Sequence, residues 1–327
     1  MGILLQLNVF QANRVQRGAV LLFMELRSSI LKTLAYFDLF NYPLALEDIR
    51  RFLDVEADAE VIEREVRILL RQGRLYRTGD YYSLQDNPTL AERRQKGEVR
   101  ADELLLIAAR NARLLYQFPF VRGICISGSL SKRCADERAD IDYFIITRAN
   151  RLWIARTLMH FYKKLSYLRG HQHRFCMNYY IDEEALEIKE KNIFTATELL
   201  TLLPMCGNGS LDRFFEANSW TNVYLPHYRD RHWEGKGHHR STLLKRVLEG
   251  LFNNRLGDRL DKGLQRITDR RWKKKTQRGD LNMKGDLMAL QCSSHYSRPN
   301  PENFQQKVLT KFYRRLKEVG AFTKEMI

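Results

Sequence analysis

The chain has 327 residues, of which 44% are hydrophobic and 29% are charged, a composition that can build packed cores and excludes a disordered chain. A net charge of +16 favours an acidic ligand: a nucleotide, a nucleic acid or an anionic lipid surface. The five cysteines form no CxxC pair, which argues against a zinc knuckle or a disulfide framework and favours a reducing, cytoplasmic location.

Residues 1–24 are predicted to be an extension ahead of the ordered protein. The segment is fairly apolar, but Gln11, Arg14 and Arg17 interrupt it. No uninterrupted run approaches the roughly 18–20 apolar residues of a spanning helix. A signal peptide carries its charges before the apolar region, whereas here they fall in the middle. We therefore expect no membrane span and an ordered chain that begins near Met24.

Residues 25–86 are predicted to form a winged-helix-like domain. Apolar residues at helical spacing indicate three helices, the first ending before Pro43 and the third ending at Gly73. Two short aromatic segments then flank Thr78-Gly79-Asp80, which is typical of a strand, a turn and a strand. The third helix mixes Glu with Arg, so packing against protein is as plausible for it as binding DNA.

A helical connector is predicted over residues 87–119, followed by an α/β core over 120–186. The core elements, in chain order, are a strand over Val121–Ser127, a strand over Ile141–Thr147, an amphipathic helix over Leu152–Leu168 and a strand over Phe175–Ile181. The expected fold class is therefore α/β (α+β), with the connector leading from the winged-helix-like domain into a small sheet.

Residues 187–327 are predicted to be a mainly helical C-terminal region. Thr195 and Glu198 have the spacing of a capping box, and apolar residues from Leu243 to Leu264 predict one long helix. The stretch Arg229–Arg278 holds 16 Lys and Arg against 6 Asp and Glu. This excess suits a nucleic-acid backbone or an acidic partner, although a solvated charged face is the alternative.

Gly128-Ser129 directly follows the first predicted core strand, and Asp140-Ile141-Asp142 opens the next. Alternate strand residues point to one face, so the two carboxylates project together while Ile141 packs inward. Adjacent carboxylates favour divalent cations, and Mg²⁺ prefers such oxygen ligands together with nucleotide phosphates. Glycine lets a backbone approach a phosphate closely.

This arrangement over residues 120–182 resembles the Gly-Ser and Asp-x-Asp signature of the DNA polymerase β nucleotidyltransferase superfamily. The resemblance implies a nucleoside triphosphate bound through Mg²⁺ or Mn²⁺, with Asp140 and Asp142 as catalytic metal ligands. Gly128 and Ser129 would contact the phosphates, and Lys132 and Arg133 would add positive charge.

The resemblance also implies a mechanism. One metal would lower the pKa of an acceptor hydroxyl, which attacks the α-phosphorus, and the other would stabilise the departing pyrophosphate. The acceptor is left open: a small molecule, RNA or protein.

The sequence departs from the superfamily pattern on the third strand. A third carboxylate is expected there, but the centre of the strand holds Asn178, whose amide oxygen is a neutral metal ligand. Asp182 has the same parity and lies about 13 Å further along an uninterrupted strand at ~3.3 Å per residue. A catalytically degenerate protein that acts as a winged-helix nucleic-acid-binding or nucleotide-sensing regulator is therefore the alternative function.

Overall fold

The computed structural model describes residues 23–136, 139–167, 175–228, 241–281, 288–301 and 304–321. Within these ranges the protein is mixed α/β. Of the predicted N-terminal extension, residues 1–22 lie outside the described residues, as do residues 229–240 of the basic stretch. No helix in the described ranges is long and apolar enough to cross a membrane.

Contacts between Cα atoms divide the chain into two compact units. The described residues of the first unit come from Met1–Arg94, Asn222–Asp230 and Val308–Ile327. Those of the second unit come from Gln95–Thr221 and Arg231–Lys307. The domain boundaries inferred from the sequence stay predictions.

The first unit opens with a helix over residues 23–38 (α1), followed by short helices and a small sheet. The following elements are β1 (Leu44–Ala45), α2 (Leu46–Arg51), α3 (Ala59–Arg71), β2 (Tyr76–Thr78) and β3 (Tyr81–Ser83). The strands form an antiparallel sheet in the order β1-β3-β2. Periodic apolar residues build the core here, because Ile30, Leu34, Ile62 and Val66 are all buried.

The remaining helices and strands follow in chain order. They are α4 (Thr89–Tyr116), β4 (Val121–Ser127), α5 (Gly128–Ser131), β5 (Asp142–Thr147), α6 (Leu152–Tyr167), β6 (Cys176–Asp182), α7 (Ile193–Leu200), β7 (Leu203–Gly207), α8 (Gly209–Ala217), α9 (Thr221–Tyr224), α10 (Leu243–Phe252), α11 (Arg255–Gln277), β8 (Met288–Cys292), β9 (Tyr296–Pro301) and α12 (Phe304–Glu318).

A six-stranded mixed sheet in the order β7-β4-β5-β6-β9-β8 forms the centre of the second unit. The pair β5 and β6 is parallel, and the other neighbours are antiparallel. Alternate residues of β5 belong to two apolar clusters on opposite faces of the sheet. Tyr143 and Ile145 pack with α4 and α6. Phe144 and Ile146 pack with α7 and α8. Helices therefore cover the sheet on both faces.

The C-terminal region supplies three strands of this sheet, which the mainly helical prediction did not include. β7 follows α7 and pairs with β4. Its Pro204 is tolerated because β7 is an edge strand, where a missing amide donor costs no ladder hydrogen bond.

Two local helix predictions were wrong. The single helix over Leu243–Leu264 is broken, because the Asn254 side chain accepts hydrogen bonds from the first amides of α11 and starts a new helix. A Cβ on Gly257 would lie 1.8 Å from the carbonyl oxygen of Phe252, so only glycine fits this junction. At α7 the cap is Asn192, which places Thr195 and Glu198 inside the helix rather than in a capping box.

Candidate active site

The ends of three strands meet at one edge of the second unit's sheet. Ser127, the last residue of β4, lies opposite Asp142, the first residue of β5. Asp142 in turn lies opposite Cys176, the first residue of β6. Gly128 and Ser129 begin α5 directly after β4, and Asp140 precedes β5 by two residues. The structure thus brings four sequence-predicted site residues to one place.

Gly128 is required by the close approach of Asp142. Its φ is +70°, a left-handed conformation that side chains other than glycine rarely adopt. A Cβ at this position would lie 2.6 Å from Oδ2 of Asp142. Any side chain here would displace the carboxylate, so the turn and the carboxylate form one geometric unit.

Asp140 and Asp142 flank the buried Ile141, as the alternation of a strand predicts. The Asp142 carboxylate accepts a hydrogen bond from Nδ2 of Asn178 at 2.5 Å. Oδ1 of Asn178 accepts from the thiol of Cys176 at 3.1 Å. Burial raises the pKa of Cys176 to about 12, and the negative charge of Asp142 adds to the shift, so this thiol is neutral at pH 7.

Lys132 and Arg133, which were predicted to add positive charge beside the phosphates, have different partners in the structure. Nζ of Lys132 lies 3.2 Å from the carbonyl oxygen of Gly128 and 2.9 Å from Oε1 of Glu198, so this cation stays against the turn. Arg133 bends away through a left-handed φ of +56° and pairs with Asp102 of α4 at 2.8 Å, with both side chains half exposed. Only Lys132 is anchored beside the Gly-Ser turn itself.

A bulge in β6 overturns the expectation that Asn178 and Asp182 share a face. Tyr143 lies opposite Met177 and Phe144 opposite Tyr179, so Asn178 is an extra residue in the ladder. Met177 and Tyr180, three positions apart, consequently pack in the same apolar cluster. Asn178 contacts Asp142, and the bulge leaves Asp182 on the opposite face of the strand.

Asp182, the last residue of β6, is held by hydrogen bonds from other residues of the protein. It is fully buried and accepts hydrogen bonds from the amides of Asn150 and Glu184 at 2.8 and 3.0 Å. Nδ1 of His295 lies 3.0 Å from its carboxylate. Burial raises the pKa of Asp182, and these hydrogen bonds oppose the rise.

Sequence reasoning missed two residues that touch the site. Glu198 was interpreted as part of a helix cap, yet its partner is Lys132. Cys176 precedes Asn178 by two positions. Because alternate residues of a strand face the same side, the sequence could have indicated that both would face Asp142.

Asp140 and Asp142 are the carboxylates here that could hold a divalent cation, since Mg²⁺ prefers oxygen ligands. No group of three or more His, Cys, Asp or Glu side chains with metal-binding geometry occurs in the described ranges. Asn178 presents its nitrogen to Asp142, so its amide must rotate by half a turn before its oxygen could join such a site.

Comparisons with protein-family models, with curated proteins and with solved structures give no match to this chain.

Proposed function

We propose that this protein is a nucleotidyltransferase that resembles the DNA polymerase β superfamily and moves a nucleoside monophosphate from a triphosphate to a hydroxyl acceptor. One observation carries the proposal: the left-handed Gly128 turn lies so close to Asp142 that the turn and the carboxylate act as a unit. A Gly-Ser turn built against an Asp-x-Asp strand is the arrangement that the proposed chemistry needs.

Asp140 and Asp142 would hold a Mg²⁺ or Mn²⁺ ion that travels with the triphosphate. When bound, the ion supplies charge neutralisation of the phosphates and lowers the pKa of the acceptor hydroxyl. The chain's own residues do the positioning: Ser129 offers its hydroxyl and amide to phosphate oxygens, and the Gly128 turn allows the close approach. Lys132, anchored to that turn at 3.2 Å, places a positive charge beside the same phosphates.

The proton of the acceptor needs a base that Asn178 cannot provide, because a neutral amide is a poor proton acceptor. We therefore infer slow transfer, or transfer in which the acceptor or another group takes the proton. The acceptor stays a small molecule, RNA or protein. The helices α1, α2 and α3 with the three-stranded sheet β1-β3-β2 support the winged-helix-like domain as a proposal.

Incubation of the full chain with each NTP and Mg²⁺ or Mn²⁺, with detection of released pyrophosphate, tests the proposal. Mass spectrometry of the protein and of added cell extract would identify the acceptor through its nucleotide adduct. Asp142→Asn is the inactive comparison, and Asp212→Asn, which removes an exposed carboxylate on α8, is the matched control. Pyrophosphate release at equal rates from all three proteins contradicts the proposed site.

The hydrogen bond between Asn178 and Asp142 favours a second function, a nucleotide-sensing regulator with a degenerate transferase domain. It satisfies part of the carboxylate with a neutral donor where a third carboxylate is expected. Calorimetric binding of ATP with Mg²⁺, together with no pyrophosphate release for any NTP, would select this second function over catalysis.

A further inference from the structure

Helix α10 exposes four of its apolar side chains, whereas Lys245 is buried and Glu249 is half-buried, which is unusual for a surface helix. The outward side chains are Leu243, Leu244, Val247 and Leu251, with exposed fractions of 70, 67, 50 and 57%. At 100° per residue they occupy a single arc of the helix. We call these four residues the α10 apolar face.

Polar contacts hold the opposite side of α10 in place. The buried Lys245 donates through Nζ to the carbonyl oxygens of Tyr116 at 2.7 Å and Val121 at 2.9 Å. Glu249 pairs with Arg122 in two contacts of 2.9 and 3.0 Å and accepts from the amide of Phe120 at 2.7 Å.

Turning the apolar face inward would break all of these bonds and leave buried carbonyls without donors. A buried polar group that loses its hydrogen-bond partner destabilises the fold. The exposure of the α10 apolar face is therefore a property of the folded unit.

Helix α11 also exposes apolar side chains. Leu256, Leu260 and Ile267 are exposed by 62, 38 and 49%. From Leu243 to Gln277 the two helices hold eleven Lys and Arg against four Asp and Glu.

The acidic residues of α10 and α11 are largely engaged elsewhere. Asp261 is buried, and Asp258 pairs with Arg151 at 2.6 Å. Asp269 pairs with Lys273 along the same helix at 2.8 Å. The exposed side of α11 consequently carries apolar residues beside a cationic excess that includes Arg259, Arg266 and Arg270.

We propose that α10 and α11 bind the surface of an anionic lipid bilayer, with their exposed apolar side chains at the boundary between headgroups and acyl chains. An apolar helix face with Lys and Arg beside it is the combination that places a helix in this interface. Basic residues gain from the negative potential of anionic headgroups. This inference is independent of nucleotidyl transfer.

Two other occupants fit the surface less well. A second copy of the chain would bring the same cations into apposition, and like charges repel. Nucleic acid would satisfy the cations, but it recruits aromatic side chains for base stacking, whereas the exposed side chains of α10 are aliphatic. At the surface of an anionic bilayer, the acyl chains can contact the aliphatic side chains and the headgroups can pair with the cations.

Flotation of the full chain with vesicles tests the proposal. The vesicles are phosphatidylcholine alone or a mixture of phosphatidylcholine with about one third phosphatidylserine, in roughly 0.1 M salt. We expect binding to the mixed vesicles, with weaker binding to phosphatidylcholine alone and loss of binding near 1 M salt, where the Debye length falls to about 3 Å.

Matched double variants separate the apolar and charged contributions. Leu244→Gln with Val247→Gln is expected to weaken binding by about tenfold or more, because insertion buries both side chains. Val99→Gln with Leu106→Gln on α4, which removes apolar side chains exposed by 65 and 68%, is expected to leave it unchanged. Arg259→Gln with Arg266→Gln is expected to weaken binding by about fivefold for each cation that faces the membrane.

Thermal melts of each variant verify that the fold is retained, as expected for exposed positions. The proposal is overturned if the mixed vesicles leave the protein in the dense fraction, or if the α4 variant loses as much binding as the α10 variant. It is also overturned if the chain forms a dimer without vesicles that Leu244→Gln with Val247→Gln dissociates. Gel shifts with RNA or DNA that need the arginines, combined with no vesicle binding, would assign the surface to nucleic acid.

Discussion

Asn178 donates a hydrogen bond from its side-chain nitrogen to Oδ1 of Asp142 across 2.5 Å. This contact gives Asp142 a neutral donor at the position where the superfamily resemblance leads us to expect a third carboxylate. The bulge at Asn178 leaves Asp182 on the other face of β6. At this position the candidate site therefore holds a neutral amide instead of the negative charge that the resemblance implies.

Replacing Asn178 with Asp should raise the affinity for Mn²⁺ in the absence of nucleotide by about tenfold or more. Opposite charges about 4 Å apart interact by about 4 kcal/mol at an effective dielectric of 20, which is ample for this change. Mn²⁺ titration followed by electron paramagnetic resonance measures it. The metal-free variant should be less stable than the wild type, because three carboxylates repel. An unchanged Mn²⁺ affinity would place Asn178 outside the metal's reach.

Asp182→Asn is the companion variant and should leave Mn²⁺ and nucleotide binding unchanged. It should lower the free energy of unfolding by about 1–3 kcal/mol, because an amide nitrogen replaces one of the oxygens that accept from Asn150, Glu184 and His295. Urea denaturation measures the change. Loss of nucleotide binding at full stability would make Asp182 a site residue.

Asp140→Asn and Asp142→Asn should each abolish Mg²⁺-dependent ATP binding while the fold remains intact. Removal of one carboxylate relieves repulsion between the two in the metal-free protein, so thermal stability should hold or rise. Calorimetry with ATP and Mg²⁺ measures the binding, and Asp212→Asn controls for the loss of a charge. Wild-type affinity in both variants would remove these residues from the site.

Gly128→Ala should destroy nucleotide binding by pushing the Asp142 carboxylate, whereas Gly79→Ala should not. Both glycines have a left-handed φ, +70° and +60°, so both variants carry a similar backbone strain of about 1–2 kcal/mol. Only at Gly128 does the added methyl meet an atom, Oδ2 of Asp142 at 2.6 Å; nothing lies within 4 Å of it at Gly79. Calorimetry with ATP measures the effect of the contact with Asp142, and urea unfolding of both variants measures the backbone strain. Equal ATP binding by the two variants would refute the close approach of Gly128 and Asp142.

Asp261 should make the second unit less stable as the pH rises from about 4 to about 6. Burial raises its folded-state pKa from 3.8 to about 6, while its carboxylate accepts from the amide of Ile154 at 2.9 Å. Between the unfolded and folded pKa values the folded state binds more protons, so this contribution to stability is full below about pH 4, is lost as the pH rises to about 6, and changes no further above that.

Asp261→Asn should remove this part of the pH dependence, since the amide keeps an acceptor oxygen for Ile154 and cannot ionise. The difference in unfolding free energy between the two proteins should therefore change by up to roughly 3 kcal/mol from pH 4 to pH 7, at 1.36 kcal/mol per pKa unit. Urea denaturation across this range measures it. Parallel pH profiles for the two proteins would show that Asp261 does not titrate with folding.

The local sequence pattern was sufficient to predict the strands and the turn that build the candidate site. Alternation around Ile141 predicted the two flanking carboxylates, and a Gly-Ser pair after an apolar strand predicted a turn at Gly128. These features are local because strand parity and glycine conformations are set by neighbouring residues. The nucleotidyltransferase function itself stays a proposal.

Tertiary structure decided the features that depend on partners distant in sequence. The bulge that puts Asn178 and Asp182 on opposite faces of β6 depends on pairing with β5, and the partner of Lys132 is Glu198, 66 positions further along the chain. The apolar residues of α10 predicted a helix. In the structure Lys245 and Glu249 face inward, because Tyr116, Val121 and Arg122 supply their partners. Apolar periodicity determines that a helix forms, but the available hydrogen-bond partners decide which side of α10 is buried.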